Sequence, residues 1–488
     1  MLASNKLVLA ELIPRWLCPE AVDNKTIIKV KDMKEFDAII IGTGQAGPSI
    51  AARCAAEGLK TAIIERDRFG GTCVNTGCTP TKALVASAKS AFMARRSADY
   101  GVNISGKVTV DMKAVKARKD KIVEQSNTGV ENWLKNTENI TVFEGHAKFE
   151  SANTISVGDQ VLRGEKIFIN VGGRAIIPEG FKAVNFLTNS TMMNVDFVPK
   201  HLIIIGGSYI GLEFGQMYRR FGSEVTIIER GSRLVQREDE DVSDEIRKIL
   251  EAEGINFRFD TDCISAEMNG DQVSVNVDCK NGDNKVEGSH LFLAVGRQPN
   301  TDDLGLDKTG MEVNSRGFIQ VDDQLRTNVP GVWAVGDCNG KGAFTHTTYN
   351  DFEIVVANLF DNDPRKVSDR ILCYGLFIDP ALGRVGMTEN EVRKSGKKAL
   401  IATRTMKRIA RAKEKGETNG FMKLIVDAET KRFLGATILG IEGDEIIHSI
   451  LDIMYADAPY TVIQRAVHIH PTVSELIPTT LADLKPLI

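Results

Sequence analysis

The chain carries one sequence pattern twice, and this repeat restricts the fold more than any other feature. A run of apolar residues, typical of a buried strand, ends in a glycine-rich turn at Gly42, and an alanine-rich helical segment follows. The pattern returns 164 residues later, where another apolar run leads into a turn at Gly206. In both copies an acidic residue closes the next apolar run, 23 positions after the first glycine. The repeat therefore predicts two βαβ units of one design.

The first turn has the spacing of a dinucleotide-binding motif. Gly42 permits the tight turn, Gly44 leaves room for a pyrophosphate against the backbone, and Gly47 lets the helix pack close to the strand. The pyrophosphate would lie at the helix N-terminus, where unpaired N–H groups attract an anion. Glu65 is expected to accept hydrogen bonds from the ribose hydroxyls. A glycine turn without a ligand is the alternative, but the strand, the helix and the acid in this order favour dinucleotide binding.

The second turn departs from the motif at its middle position, where Ser208 replaces a glycine. The residues that we expect to hold a second dinucleotide here are Gly206, Gly207, Ser208 and Gly211. Glu229 favours a ribose with a free 2′-hydroxyl, and hence NAD(H), because a carboxylate would repel a 2′-phosphate. Arg230 and Arg233 lie just beyond and would accommodate that phosphate, so NADP(H) is the alternative. We expect NAD(H) to be preferred over NADP(H).

Cys73 and Cys78 lie close together, whereas the other six of the eight cysteines are scattered. A structural zinc site would need a second such pair or neighbouring histidines, so no metal site is expected. Two buried, unconnected thiols are a further alternative. In a reducing compartment a close pair is more typical of redox chemistry than of a structural disulfide.

Composition and charge limit the setting of this chemistry. The net charge is −4 and the pI is about 6.1, so nucleic acid is not an expected partner. The sequence has no run of 18 apolar residues, and its N-terminal segment lacks the uninterrupted apolar core of a signal peptide. We therefore expect a cytoplasmic protein with no membrane partner.

Several segments resemble the motifs of one enzyme family. Residues 71–82 resemble a redox-disulfide motif, residues 327–337 a second FAD motif, and residues 468–475 a C-terminal His-Pro-Thr motif with a downstream glutamate. Residues 296–300, which include Gly296, are similar to the segment that closes a pyridine-nucleotide domain. With the two glycine turns, they resemble the class I pyridine nucleotide-disulfide oxidoreductases. Dihydrolipoamide dehydrogenase, glutathione reductase and mercuric reductase belong to this family.

The resemblance implies an α/β fold with two Rossmann-like domains, which bind FAD and NAD(P), and a C-terminal α+β dimerisation domain. The expected limits are 1–34 for an N-terminal extension, 35–180 and 302–350 for the FAD domain, 181–301 for the NAD(P) domain and 351–488 for the dimerisation domain. In the last domain the sequence favours strands over residues 423–426 and 434–439 and a helix over residues 445–456.

The resemblance also implies an electron path. Hydride passes from NAD(P)H to the flavin, and electrons then reach the disulfide, with Cys78 facing the flavin and Cys73 attacking the substrate. Lys82 and Glu213 match an ion pair near the flavin. The residues that the resemblance assigns to FAD, besides the first turn and Glu65, are Gly71, Thr72, Lys82, Gly336 and Asp337.

His470 matches the family's acid–base residue, and Glu475 would orient its imidazole. A packed histidine beside Pro471 is the simpler interpretation of a single histidine, but the complete motif favours catalysis. In the family this pair comes from the other subunit of a homodimer, so the active site is shared. The His470–Pro471 peptide bond is expected to be cis by the same analogy.

Within the family, Thr76, Thr79, Thr81 and residues 342–352 look most like a mercuric reductase-like branch. Mercury reduction is not expected, because Cys373 is the last cysteine and no C-terminal pair follows it. The retained histidine and glutamate fit a small-molecule disulfide or dithiol such as lipoamide. The alternatives are a flavoprotein that reduces a quinone, oxygen or a metal ion, and an FAD-bound redox sensor. The physiological substrate, the direction of electron flow and the role of residues 1–34 stay open.

Overall fold

A computed structural model describes residues 33–279 and 283–487. Residues 1–32 of the expected N-terminal extension lie outside the described part of the chain. No helix within the described residues is both long enough and apolar enough to cross a membrane.

The first part of the chain combines strands and helices into a mixed sheet, most of whose strands are parallel. Its elements are β1 (Met33–Ile41), α1 (Gly47–Ala56), β2 (Thr61–Glu65), α2 (Gly71–Asn75), α3 (Cys78–Arg95), α4 (Met112–Asn136), β3 (Ile140–Glu144), β4 (Ala147–Ser151), β5 (Thr154–Val157), β6 (Gln160–Ile169) and β7 (Gly173–Ala175). The strand order is β3-β2-β1-β6-β5-β4, in which β1 is parallel to both β2 and β6. Helices cover the sheet, so the inner part of β1 is buried, as a central parallel strand requires.

The second copy of the repeat builds a smaller parallel sheet. Its elements are β8 (His201–Ile205), α5 (Tyr209–Phe221), β9 (Glu224–Ile228), α6 (Glu240–Ala252), β10 (Asn256–Arg258), β11 (Thr261–Asn269), β12 (Gln272–Cys279), β13 (Lys285–Gly288), β14 (His290–Leu293) and β15 (Arg297–Pro299). The parallel order is β10-β9-β8-β14, and β11-β12-β13 form a separate antiparallel sheet. Strand β15 pairs with β7 and so connects this part to the first.

The chain then returns to the first sheet. Strand β16 (Val332–Ala334) pairs in parallel with β6, and helix α7 (Thr345–Phe360) follows. The large sheet therefore contains strands that precede the second repeat in the sequence and one strand, β16, that follows it.

The C-terminal part is an antiparallel sheet with short helices. Its elements are β17 (Cys373–Leu376), β18 (Leu382–Gly386), α8 (Glu389–Ser395), β19 (Ala399–Thr405), α9 (Ala410–Glu414), β20 (Phe421–Asp427), β21 (Phe433–Leu439), α10 (Gly443–Ile446), α11 (His448–Tyr455), α12 (Thr461–Arg465), α13 (Leu476–Leu481) and β22 (Lys485–Pro486). The two strands predicted over residues 423–426 and 434–439 are confirmed as β20 and β21. The predicted helix over residues 445–456 forms as α10 and α11, which meet at Ile447.

A buried cluster of charges joins the second repeat to the C-terminal sheet. Arg384 of β18 pairs with Glu238 at 2.5 Å, and their side chains are 1% and 0% exposed. The Tyr374 hydroxyl donates to the other oxygen of the same carboxylate. Burying a carboxylate without its cation costs folding free energy, so the Glu238 carboxylate can stay buried only while Arg384 is paired with it.

We predict that Arg384→Ala destabilises the protein by about 3–5 kcal/mol, because it leaves the Glu238 carboxylate buried and without its cation. Urea unfolding of the full chain, followed by circular dichroism, measures the effect. The matched control is Arg432→Ala, which removes a 2.8 Å pair with Asp457 between side chains that are 49% and 72% exposed. Its expected cost is below about 1 kcal/mol, and equal unfolding midpoints for the two variants would contradict the prediction.

Candidate active site

The two glycine turns repeat the same backbone hydrogen bonds. The N–H of Gly42 donates to the carbonyl of Ile64 at 2.8 Å, and that of Gly206 donates to the carbonyl of Ile228 at 2.8 Å. Both glycines have left-handed backbones, with φ of +101° and +112°. In each turn the third glycine packs directly on the carbonyl of the first, so a side chain at that position would collide with backbone. The sequence repeat is therefore also a repeat of turn geometry.

The acids at the ends of β2 and β9 are fixed in equivalent ways. Glu65 accepts a hydrogen bond from the N–H of Thr43 at 3.0 Å, and Glu229 accepts one from the N–H of Gly207 at 2.7 Å. Each carboxylate also accepts from the N–H two residues beyond it, at 3.0 and 2.8 Å. Both acids consequently lie beside their glycine turns, where a bound ribose would be.

The first turn also contains an unused donor. Asn170 follows β6, and its side-chain nitrogen lies 3.1 Å from the position that a Cβ at Gly44 would occupy. This nitrogen is buried and has no hydrogen-bond partner within residues 33–279 and 283–487. Buried donors without partners are rare in folded proteins. A glycine turn with a spare donor beside it fits a ligand that brings its own acceptors, as a dinucleotide does.

Both turns open into one cavity of about 2310 Å³. A pocket for one drug-sized ligand is about 300–1,000 Å³, so the cavity has room for two dinucleotides. The predicted cofactor residues that line it are Gly42, Gly44, Glu65, Gly71, Thr72, Lys82, Gly206, Ser208, Glu229, Arg230, Gly296 and Asp337. Four others do not line it, namely Gly47, Gly207, Gly211 and Gly336. Gly47 and Gly211 lie behind the turns, where they allow close packing of the helices.

The two cysteines lie in the same cavity, between the glycine turns. Cys73 is in α2 and Cys78 is the first residue of α3, and both are free thiols. A hydrogen bond from the Cys73 thiol lowers the pKa of Cys78 to about 6, with help from the Thr345 hydroxyl and the charge of Lys82. The same hydrogen bond, together with burial, raises the pKa of Cys73. The pair therefore favours a thiolate at Cys78 beside a thiol at Cys73.

Lys82 and Glu213 form an ion pair at the floor of this cavity. The Lys82 ammonium lies 2.8 Å from a Glu213 carboxylate oxygen and 4.2 Å from the centre of the Phe377 ring. The other Glu213 oxygen accepts from the N–H of Phe377 at 3.0 Å. The pair connects α3 with α5 and places a fixed positive charge near the Cys78 sulfur.

Asp337 lines the same cavity, in the short helical segment Gly336–Asn339. Its carboxylate is 3.6 Å from the Arg297 guanidinium. Burial raises its pKa, while Arg297 opposes that change. The adjacent Gly336, with φ of +74°, donates its N–H to Asp351 at 2.7 Å.

His470 and Glu475 form their own pair, away from the cysteines. The Nδ1 atom of His470 is 3.0 Å from both Glu475 carboxylate oxygens, and the His470 side chain is 75% exposed. The predicted cis peptide bond before Pro471 is confirmed. Neither residue lines the cavity of this chain, and Val467 and Ile469 beside them are almost fully exposed. One chain alone does not bring this pair to the two thiols.

Sequence reasoning gave no role to three residues that the structure places at the site. Thr345 has its hydroxyl 3.1 Å from the Cys78 sulfur, Asn170 lies beneath the first turn, and Phe377 covers Lys82. Asn170 was open to prediction, because it follows a strand that is parallel to β1 and ends at the same edge. Thr345 lies in a segment that was noted only for its resemblance, and Phe377 has no signal in the sequence.

The described residues, 33–279 and 283–487, contain no group of three or more His, Cys, Asp or Glu side chains arranged to hold a metal ion.

Comparison with known proteins gives the same family from two directions. The family model described as pyridine nucleotide-disulphide oxidoreductase matches residues 36–351, and the model of its dimerisation domain matches residues 373–481. A probable pyridine nucleotide-disulfide oxidoreductase, RclA of Escherichia coli, is 34% identical over 93% of this chain and 100% of its own length. Dihydrolipoyl dehydrogenase of Thermus scotoductus is 32% identical over 91% of this chain and 96% of its own.

Solved structures agree with these matches. The Cu(II) complex of the HOCl-induced flavoprotein disulfide reductase RclA from Escherichia coli has a TM-score of 0.83 at 33% identity. The similarity covers 92% of this chain and 99% of the RclA chain. The family depends on FAD and a pyridine nucleotide, and the matched dimerisation domain supports a homodimer. The chain therefore belongs to the pyridine nucleotide-disulphide oxidoreductase family and is a flavoprotein oxidoreductase of this class.

Proposed function

We propose that this enzyme passes electrons between NAD(P)H and a small disulfide or dithiol through a redox-active Cys73–Cys78 pair, as dihydrolipoamide dehydrogenase does. The observation that carries the proposal is the opposite shift in pKa of the two thiols, inside one cavity that both glycine turns share. A thiolate next to a thiol is the reduced state from which thiol–disulfide exchange starts.

The residues of the first turn, with Glu65, Asn170 and Asp337, would hold FAD, and those of the second turn would hold the nicotinamide nucleotide. When bound, FAD supplies two-electron transfer between the nucleotide and the cysteine pair. Lys82 keeps a positive charge near the Cys78 sulfur, and the ion pair with Glu213 holds the Lys82 ammonium in place.

The exchange step needs a base for Cys73, because its raised pKa keeps it protonated. The partner subunit's His470 would take this proton on Nε2, since its Nδ1 is directed at Glu475. The Cys73 sulfur then attacks one substrate sulfur, the substrate S–S bond breaks, a mixed disulfide forms, and the other substrate sulfur leaves as a thiolate that takes the proton from His470. The Cys78 thiolate attacks Cys73, the cysteine disulfide forms, and the remaining substrate sulfur leaves as a thiolate that takes a proton from water. The reverse sequence oxidises a dithiol.

For the nucleotide we propose NAD(H). Glu229 is held at the second turn, where its carboxylate would accept from the ribose hydroxyls. Of the two alternative phosphate ligands, Arg230 lines the cavity, whereas Arg233 is already engaged by the Gln236 carbonyl at 3.1 Å and by Glu240 at 3.6 Å.

A metal ion is a second candidate acceptor. RclA of Escherichia coli has been solved as a Cu(II) complex, and its identity to this chain is close to that of the dihydrolipoyl dehydrogenases. In this case electrons would leave the cysteine pair to the ion instead of a substrate disulfide.

A steady-state screen of the purified enzyme with NADH and NADPH tests the proposal against lipoamide, glutathione disulfide, quinones, Hg(II), Cu(II) and oxygen. We expect a disulfide to be the best acceptor. Cys73→Ser should lose disulfide turnover by at least about 100-fold yet keep flavin reduction by NADH, because only the exchange step needs this sulfur. Cys373→Ser, at another partly exposed thiol, is the control and should keep both. Unchanged disulfide turnover in Cys73→Ser would rule out the exchange role, and faster turnover of a metal ion than of any disulfide would favour the second candidate.

The pKa of Cys78 gives a spectroscopic prediction. An anaerobic titration of the holoenzyme with NADH should produce long-wavelength absorbance from a thiolate against the flavin. This absorbance should fade as the pH drops through about 6, where Cys78 becomes protonated. Cys78→Ser should lack the band at every pH. A wild-type enzyme without the band would refute the assignment of Cys78 to the flavin.

The choice of nucleotide gives a third prediction. Glu229→Ala should raise the KM for NADH by about tenfold and narrow the preference over NADPH, because it removes a charged hydrogen-bond acceptor. The control is Glu224→Ala, at the exposed start of the same strand. If the ratio of kcat/KM values for the two nucleotides stays the same in Glu229→Ala, the choice depends on Arg230 and Arg233 instead.

A further inference from the structure

The four residues that begin helix α7 have side chains with different partners. Thr347 and Thr348 donate their hydroxyls to the carbonyl of Phe344, at 2.8 and 3.2 Å, and thereby close the start of the helix. His346 contacts the carbonyl of Cys373 through Nε2 at 2.8 Å. The hydroxyl of Thr345 lies 3.1 Å from the Cys78 sulfur. Thr347 and Thr348 therefore stabilise the start of the helix, whereas Thr345 contacts the sulfur of a cysteine in the proposed redox pair.

Ring packing holds Thr345 in place. Phe344, the residue before it, stacks on His346 at 5.4 Å and on Tyr374 at 5.7 Å, with ring planes 10° and 15° apart. The edge of Tyr209 meets the same Phe344 ring at 6.0 Å. These contacts fix the backbone from which the Thr345 hydroxyl projects, so little reorganisation is needed for that hydroxyl to meet a thiolate.

We propose that the Thr345 hydroxyl donates a hydrogen bond to the Cys78 sulfur and holds that sulfur as the thiolate, and so acts as a positioning residue for the redox pair. This inference rests on the proposed function, because it concerns the same cysteine pair. It adds a contact from a helix 267 residues away in sequence. A hydrogen bond to a charged acceptor is among the stronger ones in proteins, so its loss should be measurable.

The other groups that act on the Cys78 sulfur come from three elements. They are the Cys73 thiol of α2, the Lys82 ammonium of α3 and the Glu213 carboxylate of α5. Cys73 and Lys82 favour the thiolate, while Glu213 opposes it. Thr345 carries no charge, so its removal leaves the charges of these three groups unchanged. Its hydroxyl also contacts the Cys73 thiol, so the hydrogen bond to Cys78 is tested with that thiol replaced.

The test measures the thiolate directly, in holoenzyme that carries Cys73→Ser so that Cys78 is the single thiol of the pair. The rate of Cys78 alkylation by iodoacetamide is followed from pH 4 to 10 by peptide mass spectrometry. We expect Thr345→Val to raise the midpoint of this pH profile by about one pH unit, because the Cys78 thiolate loses a hydrogen bond. Valine has the same shape as threonine without the hydroxyl. Thr345→Ser, which keeps the hydroxyl, should leave the midpoint where it is.

Two comparisons make the outcome decisive. Thr403→Val makes the same change at an exposed position of β19 and should not move the midpoint. Thr345→Ala provides a second loss of the hydroxyl if the valine variant does not fold with its flavin. An unchanged midpoint in the folded valine or alanine variant would overturn the proposal, as would an equal shift in the serine variant. Alkylation needs neither reduced nucleotide nor disulfide, so a failure of disulfide turnover would not affect this result.

Discussion

The site depends on one junction, in which helices α3 and α5 are joined side by side. Glu213 and Lys82 pair at the end near the cavity, and farther along Asp379 pairs with Lys89 at 3.0 Å and with Arg220 at 2.7 Å. Arg220 is 4% exposed, so breaking its ion pair with Asp379 would cost folding free energy by leaving a buried charge without a partner. Helix α3 begins at Cys78, and α5 begins directly after the second glycine turn. The junction therefore sets the position of the thiols relative to the second glycine turn, although these two parts lie far apart in the sequence.

The contacts that were predictable from the sequence are local ones. A glycine at Gly42 or Gly206 fixes a backbone angle, and the acid that ends the following strand returns to the same turn, so short sequence patterns determine both. The pairing of Lys82 with Glu213 spans 131 residues and was assigned only by resemblance to a family. Thr345 and Phe377 were missed for a related reason, because their partners depend on how three separate parts of the chain pack together.

For His470 and Glu475, neither the sequence nor the structure of a single chain places the pair beside the two thiols. The pair itself is local, since Glu475 follows His470 by five residues and its carboxylate lies 3.0 Å from Nδ1. Its target is not local, because the imidazole is 75% exposed and lies outside the cavity of its own chain. The exposed apolar residues Val467 and Ile469 on the same segment are the kind of surface that a subunit interface covers. The proposed acid–base role therefore requires the homodimer that the dimerisation domain supports.

The proposed exchange role of Cys73, whose pKa is raised, argues against a sensing role for the pair. A redox sensor reacts through an accessible thiolate without help from a base. The exposed Cys78, whose pKa is lowered, would meet that requirement alone, and a sensor would need no second, protonated thiol at Cys73. If Cys73 meets the substrate, it is nearly inert until a base takes its proton. The proposed exchange at Cys73 would therefore need the His470–Glu475 pair, whereas a sensor would have no use for it.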